Sequence, residues 1–470
     1  MQECIWCLCC FTRRPLRHAE RVNSPLRESL AKRCEGEGGL SNVRRCLKIH
    51  SRVCYTKREV TDMTVFENAK VILPDSVCST CVAVDEGKIV EIADRIDAPD
   101  AERIDCEGRY LAPGFVDIHV HGGGGREIME CTPDAIKAMC EAHLRHGTTS
   151  MLPTLSAAPM DTTLHAVDAA KAAAEQKVAP NFRGVYLEGP FLSPEQAGAQ
   201  LPENLLIPED EDIETLLDRW DGIRMIGIAP ELRGAMKLGD ECAKRGITAS
   251  VAHSNATMAV VEEAVKHGFS DITHIYSGCS MLTRKDGFRI PGVVEAGLIL
   301  DEPTVQVICD LRHLPAELLR LIYKCCGADR ISLVTDALLF AGTDMEEGGI
   351  YTQTNGQRCL YEDNIMKMPD RSGFCGSVAT TDVLVRNMRS IGVPWNEVIK
   401  MAATTPARVV NLKDKGSIEI GKDADLVLFD EDVSVSDIWI EGEKMVLCNR
   451  GLQQVEGVNG LCVHTPSYTI

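Results

Sequence analysis

Apolar and polar residues alternate in short segments from Met63 onward, and this period of two predicts β-strands. We expect three strands there, over residues 64–71, 78–84 and 88–93. The residues Asp85-Glu86-Gly87 provide the turn between the last two of them. The alternation returns after residue 413, with further strands expected at 425–429 and 438–440. The two flanks are therefore expected to pair with each other.

Between these flanks, short apolar runs alternate with amphipathic segments of helical period. The apolar runs predict eight strands, over residues 114–120, 148–153, 183–187, 224–229, 247–252, 271–273, 304–309 and 331–335. A helix is expected after Thr132, which can cap it, with Pro133 in its first turn. Further helices are expected over residues 161–178, 234–245, 257–267 and 315–326. This alternation predicts an α/β fold, the (β/α)8 TIM barrel.

The same patterns divide the chain into four parts. Residues 113–412 are expected to form the barrel, and residues 63–112 with 413–455 a small β-sandwich domain built from both chain flanks. Residues 456–470 are a C-terminal tail. Within the barrel part, residues 337–380 are rich in glycine and are expected to be loop-like, with a hairpin near 351–358.

Residues 1–62 show no clear hydrophobic period, and we expect a disordered leader or sequence upstream of a start at Met63. They carry 13 Lys and Arg against 7 Asp and Glu. The cluster Cys4-x2-Cys7-x-Cys9-Cys10 could hold a metal ion, but no second pair follows at zinc-finger spacing. Basic residues follow the first apolar run instead of preceding it, which argues against a secretory signal.

The charge of the whole chain excludes several classes of partner. With 50 Lys and Arg against 69 Asp and Glu, the net charge is −19. Such a chain is not expected to bind nucleic acid or an anionic membrane surface. No uncharged apolar stretch reaches the roughly 18 residues of a transmembrane helix. The scattered cysteines of the barrel part indicate reduced thiols, and hence a cytoplasmic protein.

Polar residues stand where the expected barrel strands end, and in this fold those C-terminal ends carry the active site. They are His119 and His121 on the first strand, Glu188 on the third, His253 on the fifth, His274 on the sixth and Asp336 on the eighth. The His-x-His pair places both imidazoles on one face of a strand. Imidazole with carboxylate suits a divalent ion such as Zn²⁺ or Fe²⁺.

Each of these residues also has a structural explanation. Glu188 could be a charge at a helix N-terminus, His253 could cap a turn, and His274 could be a buried hydrogen-bonding group. Their coincidence at strand ends favours a metal site. A bound divalent ion makes hydroxide accessible near neutral pH, and Asp336 is the best remaining base for the proton of the attacking water.

Seven motifs, in this order and spacing, resemble the amidohydrolase superfamily and, within it, the N-acetylglucosamine-6-phosphate deacetylase family. They are Pro113-Gly-Phe-Val-Asp-Ile-His-Val-His-Gly122, Leu187-Glu-Gly-Pro-Phe191, Ala229-Pro-Glu231, Ala252-His-Ser-Asn-Ala-Thr257, Thr273-His-Ile-Tyr276, Leu333-Val-Thr-Asp-Ala337 and Gly416-Ser-Ile-Glu-Ile-Gly-Lys-Asp-Ala-Asp-Leu426. The resemblance runs from Met63 to about residue 450 and leaves out the leader.

The resemblance implies that the chain removes the acetyl group from an amino sugar phosphate, giving glucosamine 6-phosphate and acetate. The metal-binding glutamate of the family matches Glu188, its two metal-binding histidines match His253 and His274, and its catalytic aspartate matches Asp336. The chain also keeps the His-x-His pair, so one or two ions are expected, with Glu188 between them. Members of the family are commonly homodimers.

The resemblance is weaker at the substrate contacts after the third and sixth strands. The Gly-x-His segment of the family matches Gly198-Ala199-Gln200, where a glutamine replaces the histidine. The Asn-Ala pair that follows His-x-Tyr matches Ser277-Gly278. An amide in place of imidazole keeps hydrogen bonding but removes a titrating group.

Five further substrate contacts are expected later in the chain, at Arg289, Arg312, His313, Phe374 and Cys375. The phosphate-contacting arginine of the family matches Arg289, and its Asp-Gly-x-His histidine matches His313. The late Leu-x-Gly-Ser loop matches Phe374-Cys375-Gly376-Ser377. Arg312 is an additional cation near the expected phosphate subsite. These departures leave the substrate open: another N-acyl amino sugar, a cyclic amide, or an inactive barrel that binds a ligand are the alternatives.

Overall fold

The computed structural model describes residues 63–445. The leader expected over residues 1–62, with its cysteine cluster, lies outside the described residues. The expected tail at 456–470 and the end of the second flank, 446–455, lie outside them as well. None of the helices within 63–445 is long and apolar enough to span a membrane.

The first flank folds as short strands. They are β1 (Met63–Ile72), β2 (Val77–Asp85), β3 (Lys88–Ala93), β4 (Glu102–Asp105) and β5 (Tyr110–Pro113). The expected turn joins β2 to β3, with Glu86 and Gly87 at φ 48° and 79°. A Cβ atom on Gly87 would lie 2.7 Å from the carbonyl oxygen of Glu441, so glycine allows the second flank to approach closely.

The central part alternates strands and helices. Its strands are β6 (Phe115–Val120), β7 (Gly122–Gly123), β8 (Arg126–Glu127), β9 (Thr148–Leu155), β10 (Val185–Glu188), β11 (Ile223–Ile228), β12 (Thr248–Val251), β13 (Phe269–Ile272), β14 (Thr283–Lys285), β15 (Phe288–Ile290), β16 (Thr304–Val307) and β17 (Ile331–Leu333). Its helices are α1 (Pro133–Leu144), α2 (Met160–Glu175), α3 (Ile213–Leu217), α4 (Ala235–Arg245), α5 (Met258–Lys266), α6 (Val293–Ile299) and α7 (Ala316–Cys326). The Thr132 hydroxyl accepts a hydrogen bond from Ala135 N and caps α1, as expected.

Eight of these strands form one parallel sheet in the order β6-β9-β10-β11-β12-β13-β16-β17. A parallel bridge between Val120 and Ala337 joins its two edges, and Asp336 N donates a 2.9 Å hydrogen bond to His119 O. The sheet therefore closes into the predicted (β/α)8 barrel. Its strands are mostly apolar and almost entirely buried, as parallel strands covered by helices must be.

Residues after the last barrel strand fold into a second, smaller sheet. Its strands are β18 (Ile350–Thr352), β19 (Arg358–Glu362), β20 (Ile365–Lys367) and β21 (Phe374–Gly376). They pair in that order, and each neighbouring pair is antiparallel. The sequence predicted a loop with one hairpin near 351–358, whereas the structure has a four-stranded sheet that continues to residue 376. Strands of three to five residues are too short to show a clear period of two.

The chain ends its described part with helices and then strands. They are α8 (Thr381–Ser390), α9 (Trp395–Ile399), a π-helical turn (Lys400–Thr404), α10 (Thr405–Val409), β22 (Leu426–Phe429), β23 (Val435–Ile440) and β24 (Glu443–Lys444). β22 pairs with β5, and the flank sheet has the order β24-β23-β22-β5-β1-β2-β3, with β4 beside β1. Phe66 and Trp439 meet edge to face within it, 4.9 Å between centroids. The domain boundaries near residues 112 and 413 stay a prediction.

Candidate metal centre and active site

The His-x-His pair lies at the end of β6, inside the mouth of the barrel. The His119 side chain is fully buried, and His121 is 6% exposed. Their Nε2 atoms lie 3.3 Å apart, so both rings point at one place, as strand alternation predicts. The pair faces the two carboxylates of the site, Glu188 and Asp336.

Glu188 ends β10 and lies among four histidine rings. Its Oε1 atom is 2.7 Å from His274 Nε2, 3.2 Å from His253 Nε2 and 3.5 Å from His119 Nε2. Its Oε2 atom is 3.2 Å from His121 Nε2. One carboxylate thus reaches all four imidazoles through its two oxygens.

Asp336, which follows β17, closes the other side of the group. Its Oδ1 atom lies 3.3 Å from His121 Nε2 and 3.5 Å from His119 Nε2. Asp336, His253 and His274 all have a left-handed backbone, with φ of 48°, 41° and 25°. Such a conformation costs free energy in residues other than glycine, and such backbone strain is concentrated at functional sites.

Hydrogen bonds at the far ring nitrogens of three of the four histidines, His119, His121 and His253, fix which nitrogen of the ring carries the proton. His121 Nδ1 donates to Thr154 O at 3.0 Å, and His253 Nδ1 donates to Gln196 O at 2.7 Å. His119 Nδ1 lies 2.9 Å from Gln306 Oε1, which must accept. With Nδ1 protonated, each of these three rings in its neutral form presents the lone pair of Nε2 towards the carboxylates, as a metal ligand does.

The carboxylates of the site favour a positive charge at its centre. Burial opposes ionisation of Glu188, but the surrounding imidazoles hold the pKa of its carboxyl well below the usual value. Burial would lower the pKa of His121, but hydrogen bonds with Asp336 and Glu188 raise it to about 10. A divalent cation would take the place of those protons.

Two overlapping sets of donor atoms have the closeness that a metal ion needs. One set is His119, Glu188 and His274, and the other is His119, His121 and Asp336. Within each set the donor atoms lie within 4.8 Å of one another. Nitrogen and carboxylate oxygen are ligands of Zn²⁺ and Fe²⁺, so the residues present fit a divalent ion.

A buried polar layer supports the metal ligands, and sequence reasoning missed it. Gln306 Nε2 donates to Asp271 Oδ2 at 2.9 Å, which leaves Gln306 Oε1 free to accept from His119. Asp271 also accepts hydrogen bonds from Ser250 and Thr304. The available signal was a polar residue inside an apolar strand, as in Thr304-Val-Gln-Val307.

The glycine of the Ser277-Gly278 pair makes room for a metal ligand. Gly278 has φ 55°, and a Cβ atom there would lie 2.6 Å from His253 Nδ1. An alanine would have to displace the ring or the loop. The His253 ring therefore depends on a residue without a side chain at this position.

A cavity of about 300 Å³ opens directly above these ligands. Apart from the metal and catalytic residues, seven of the residues expected to bind substrate line it: Ala199, Gln200, Ser277, Gly278, His313, Phe374 and Cys375. The remaining two do not. Arg289 lies on β15 and is exposed, while Arg312 donates from Nε to Asp363 O at 2.7 Å.

The smaller sheet adds cavity residues that sequence reasoning missed. Gln353, Asn355, Met368 and Ser372 all line the cavity. The main-chain nitrogen of Thr354 donates a 2.5 Å hydrogen bond to the buried Glu127 carboxylate, which fixes this part of the wall. These residues stand in turns and strand ends, where no sequence period marks a site.

Comparison with known proteins agrees with this geometry. A model of the Amidohydrolase family matches residues 110–445. The chain is 30% identical over 357 residues to the N-acetylglucosamine-6-phosphate deacetylase of Lysinibacillus sphaericus, covering 74% of this chain and 88% of that protein. It is 32% identical to the N-acetylgalactosamine-6-phosphate deacetylase of Escherichia coli O157:H7, covering 72% and 88%.

A solved structure shares the fold over nearly its whole length. The N-acetylglucosamine-6-phosphate deacetylase from Pasteurella multocida superposes with a TM-score of 0.75 at 30% identity, covering 81% of this chain and 99% of that one.

Proposed function

The chain belongs to the amidohydrolase family, within which it groups with amino sugar phosphate deacetylases, and from this membership we propose its reaction. It is a metal-dependent hydrolase that removes the N-acetyl group from N-acetylglucosamine 6-phosphate, giving glucosamine 6-phosphate and acetate. The bond broken is a linear amide C–N bond. The observation that carries the proposal is the convergence of Glu188, four histidines and Asp336 beneath one cavity.

The residues of this chain have separable tasks in that reaction. His119, His121, Glu188, His253 and His274 are the proposed metal ligands. Burial opposes ionisation of Asp336, but His121 and the other imidazoles lower the pKa of its carboxyl, so it is a carboxylate at neutral pH. It can accept the proton of the attacking water and deliver it to the leaving amine.

Zn²⁺ or Fe²⁺ is the proposed cofactor. Two ions are supported by Glu188, whose Oε1 faces His253 and His274 while its Oε2 faces His121. A divalent cation held by these residues would polarise the amide carbonyl and make water acidic enough to ionise near neutral pH. Metal analysis of the purified protein tests the number. Two equivalents per chain support two ions, and one equivalent limits the site to a single ion.

The phosphate group is expected at the side of the cavity formed by His313 and Phe374. The His313 ring lies 5.0 Å from the Phe374 ring, and its Nδ1 lies 2.8 Å from Asp310 Oδ2. Among the described residues, no Lys or Arg of the same chain lines the cavity. We therefore infer that a second copy of the chain supplies one.

A homodimer would supply that cation from the hairpin β14–β15. The hairpin carries Arg289, and its Phe288 side chain is 73% exposed. Met281 and Leu282, just before it, are also more than half exposed. Exposed apolar residues around a cation fit a subunit interface better than contact with water. Sedimentation of the purified chain, with Phe288→Asp for comparison, tests this assembly.

N-acetylgalactosamine 6-phosphate is the second candidate substrate. A relative that is 32% identical bears that name. Gln200 and Ser277, which line the cavity, also stand where the deacetylase family commonly has other residues.

A cytoplasmic location is supported by the free state of every cysteine within residues 63–445, since disulfides are rare in that compartment.

Acetate release from three sugars tests the function. They are N-acetylglucosamine 6-phosphate, N-acetylgalactosamine 6-phosphate and unphosphorylated N-acetylglucosamine, each given to the enzyme reconstituted with Zn²⁺ or Fe²⁺. Highest kcat/KM on the first supports the proposal. Highest kcat/KM on the second makes N-acetylgalactosamine 6-phosphate the substrate instead. Equal rates with and without phosphate point to a different N-acyl substrate, and no release from any sugar points to an inactive barrel.

A further inference from the structure

Three sulfur atoms meet in the smaller sheet, beside the catalytic cavity. Cys359 lies on β19, Met368 follows β20, and Cys375 lies on β21. The Cys375 thiol lies 3.5 Å from the thioether sulfur of Met368, and the thiols of Cys375 and Cys359 are close enough to shift each other's pKa. We refer to these three residues as the sulfur cluster.

The strand register brings the cluster together. β19 pairs with β20 through Leu360 and Lys367, and β20 pairs with β21 through Lys367 and Phe374. Each member of the sulfur cluster is adjacent in sequence to one of these three: Cys359 precedes Leu360, Met368 follows Lys367 and Cys375 follows Phe374. The cluster is thus built by the sheet and does not depend on a loose loop.

The surroundings of the sulfur cluster favour the binding of a metal ion. The Cys359 side chain is fully buried, and Gln353 Nε2 donates a 3.2 Å hydrogen bond to its sulfur. The interaction between the two thiols lowers the pKa of Cys359 and raises the pKa of Cys375. Cys375 and Met368 face the cavity, which provides a path of entry.

We propose that the sulfur cluster is a binding site for Cu(I), separate from the histidine and carboxylate centre. Thiolate and thioether ligands select soft cations such as Cu(I). Zn²⁺ in structural protein sites almost always has four protein ligands, whereas the cluster offers three. On binding, two S–H bonds break, two protons leave and three Cu–S bonds form, two to thiolates and one to the thioether. The copper ion keeps its oxidation state.

A bridging cation fits the sheet better than a disulfide does. β20 lies between β19 and β21, so the backbones that carry the two cysteines are separated by two strand spacings, about 9.5 Å. A disulfide needs Cα atoms within about 7 Å. A cation can join the two sulfurs without moving the strands. The site does not rest on the proposed deacetylase activity.

The test is Cu(I) binding by the full chain loaded with Zn²⁺, measured anaerobically against a coloured Cu(I) chelator. The variants are Cys359→Ser, Cys375→Ser and Met368→Leu. Cys325→Ser is the matched control, because Cys325 is exposed on α7 and outside the cluster. The wild type and the control are expected to hold one Cu(I) more than either cluster serine variant. Met368→Leu should keep that ion but bind it several-fold more weakly.

Only 12 of the 21 cysteines lie in the described residues, so differences between variants carry the result and total copper does not. Equal binding by the wild type and Cys375→Ser overturns the proposal. If the buried Cys359→Ser variant does not fold, Cys375→Ser decides alone, since its side chain is partly exposed. A Cys359–Cys375 disulfide found by peptide mass spectrometry after anaerobic purification would also overturn it.

Discussion

Gln200 Nε2 donates a 2.8 Å hydrogen bond to Glu188 Oε2. The other end of the same amide accepts a 3.0 Å hydrogen bond from Ala157 N. One side chain therefore ties the central carboxylate of the metal site to the backbone that follows β9. The sequence suggested a substrate contact at this position, and the geometry adds an orienting contact to the proposed bridging ligand.

Replacing Gln200 should loosen that carboxylate. Gln200→Ala is expected to lower metal affinity or kcat by about 10- to 100-fold, the usual effect of removing a hydrogen bond to a metal ligand. Gln200→Glu should be worse than Gln200→Ala, because it places a second negative charge against Glu188. Steady-state kinetics and metal content measure both effects.

Gln196→Ala is the control, since the Gln196 side chain bonds to Asn255 and only its backbone holds His253. A change in KM alone for Gln200→Ala, with metal affinity unaltered, would leave Gln200 as a substrate contact without an orienting role.

Gly278→Ala should weaken metal binding and turnover by more than its loss of folding stability would explain. A side chain in a left-handed conformation costs about 1–2 kcal/mol anywhere. At Gly278 the new Cβ would also lie 2.6 Å from His253 Nδ1. We expect at least tenfold weaker metal binding and a similar loss of kcat. Isothermal titration of the metal-free protein measures the affinity.

Gly246→Ala separates the two contributions. Gly246 has φ 69°, and nothing lies within 4 Å of its missing Cβ. This control should lower stability to a similar degree and leave metal affinity at the wild-type value. If both variants bind metal equally well, the His253 ring does not depend on the glycine.

The barrel and the six residues at its strand ends could be predicted because both follow from local patterns. Apolar runs fix where strands end, and the fold brings those ends together. Gln306 and Asp271 escaped prediction, since a polar residue within a strand has many possible partners. The cavity wall at Gln353 escaped it as well, because long-range pairing determines where those short strands pack.

His143 predicts how stability depends on pH. It is fully buried and donates from Nε2 to Gly122 O at 2.8 Å. Burial lowers its pKa from 6.5 to about 4. The unfolded chain therefore binds a proton more readily than the native protein does, and stability falls as the pH drops below 6.5. Between pH 7 and pH 4 this group should remove about 3 kcal/mol of unfolding free energy.

Urea unfolding at several pH values measures this loss. His143→Gln keeps a donor for Gly122 O and removes the titrating group, so its stability should fall by less over the same pH range. Parallel curves for the two proteins would show that His143 does not titrate as its burial implies.

Asp336→Asn should keep the metal site and lose turnover. Asparagine has nearly the same shape, and it tolerates the left-handed backbone that Asp336 adopts at φ 48°. The amide can still lie beside His121, but it cannot accept a proton from the attacking water. We expect kcat to fall by about 10²- to 10⁴-fold, the usual contribution of a general base. Metal content should stay at the wild-type value, because Glu188 and the four histidines remain. Turnover close to wild type, with metal bound, would remove Asp336 from the proton transfer and leave it a structural role at the barrel closure.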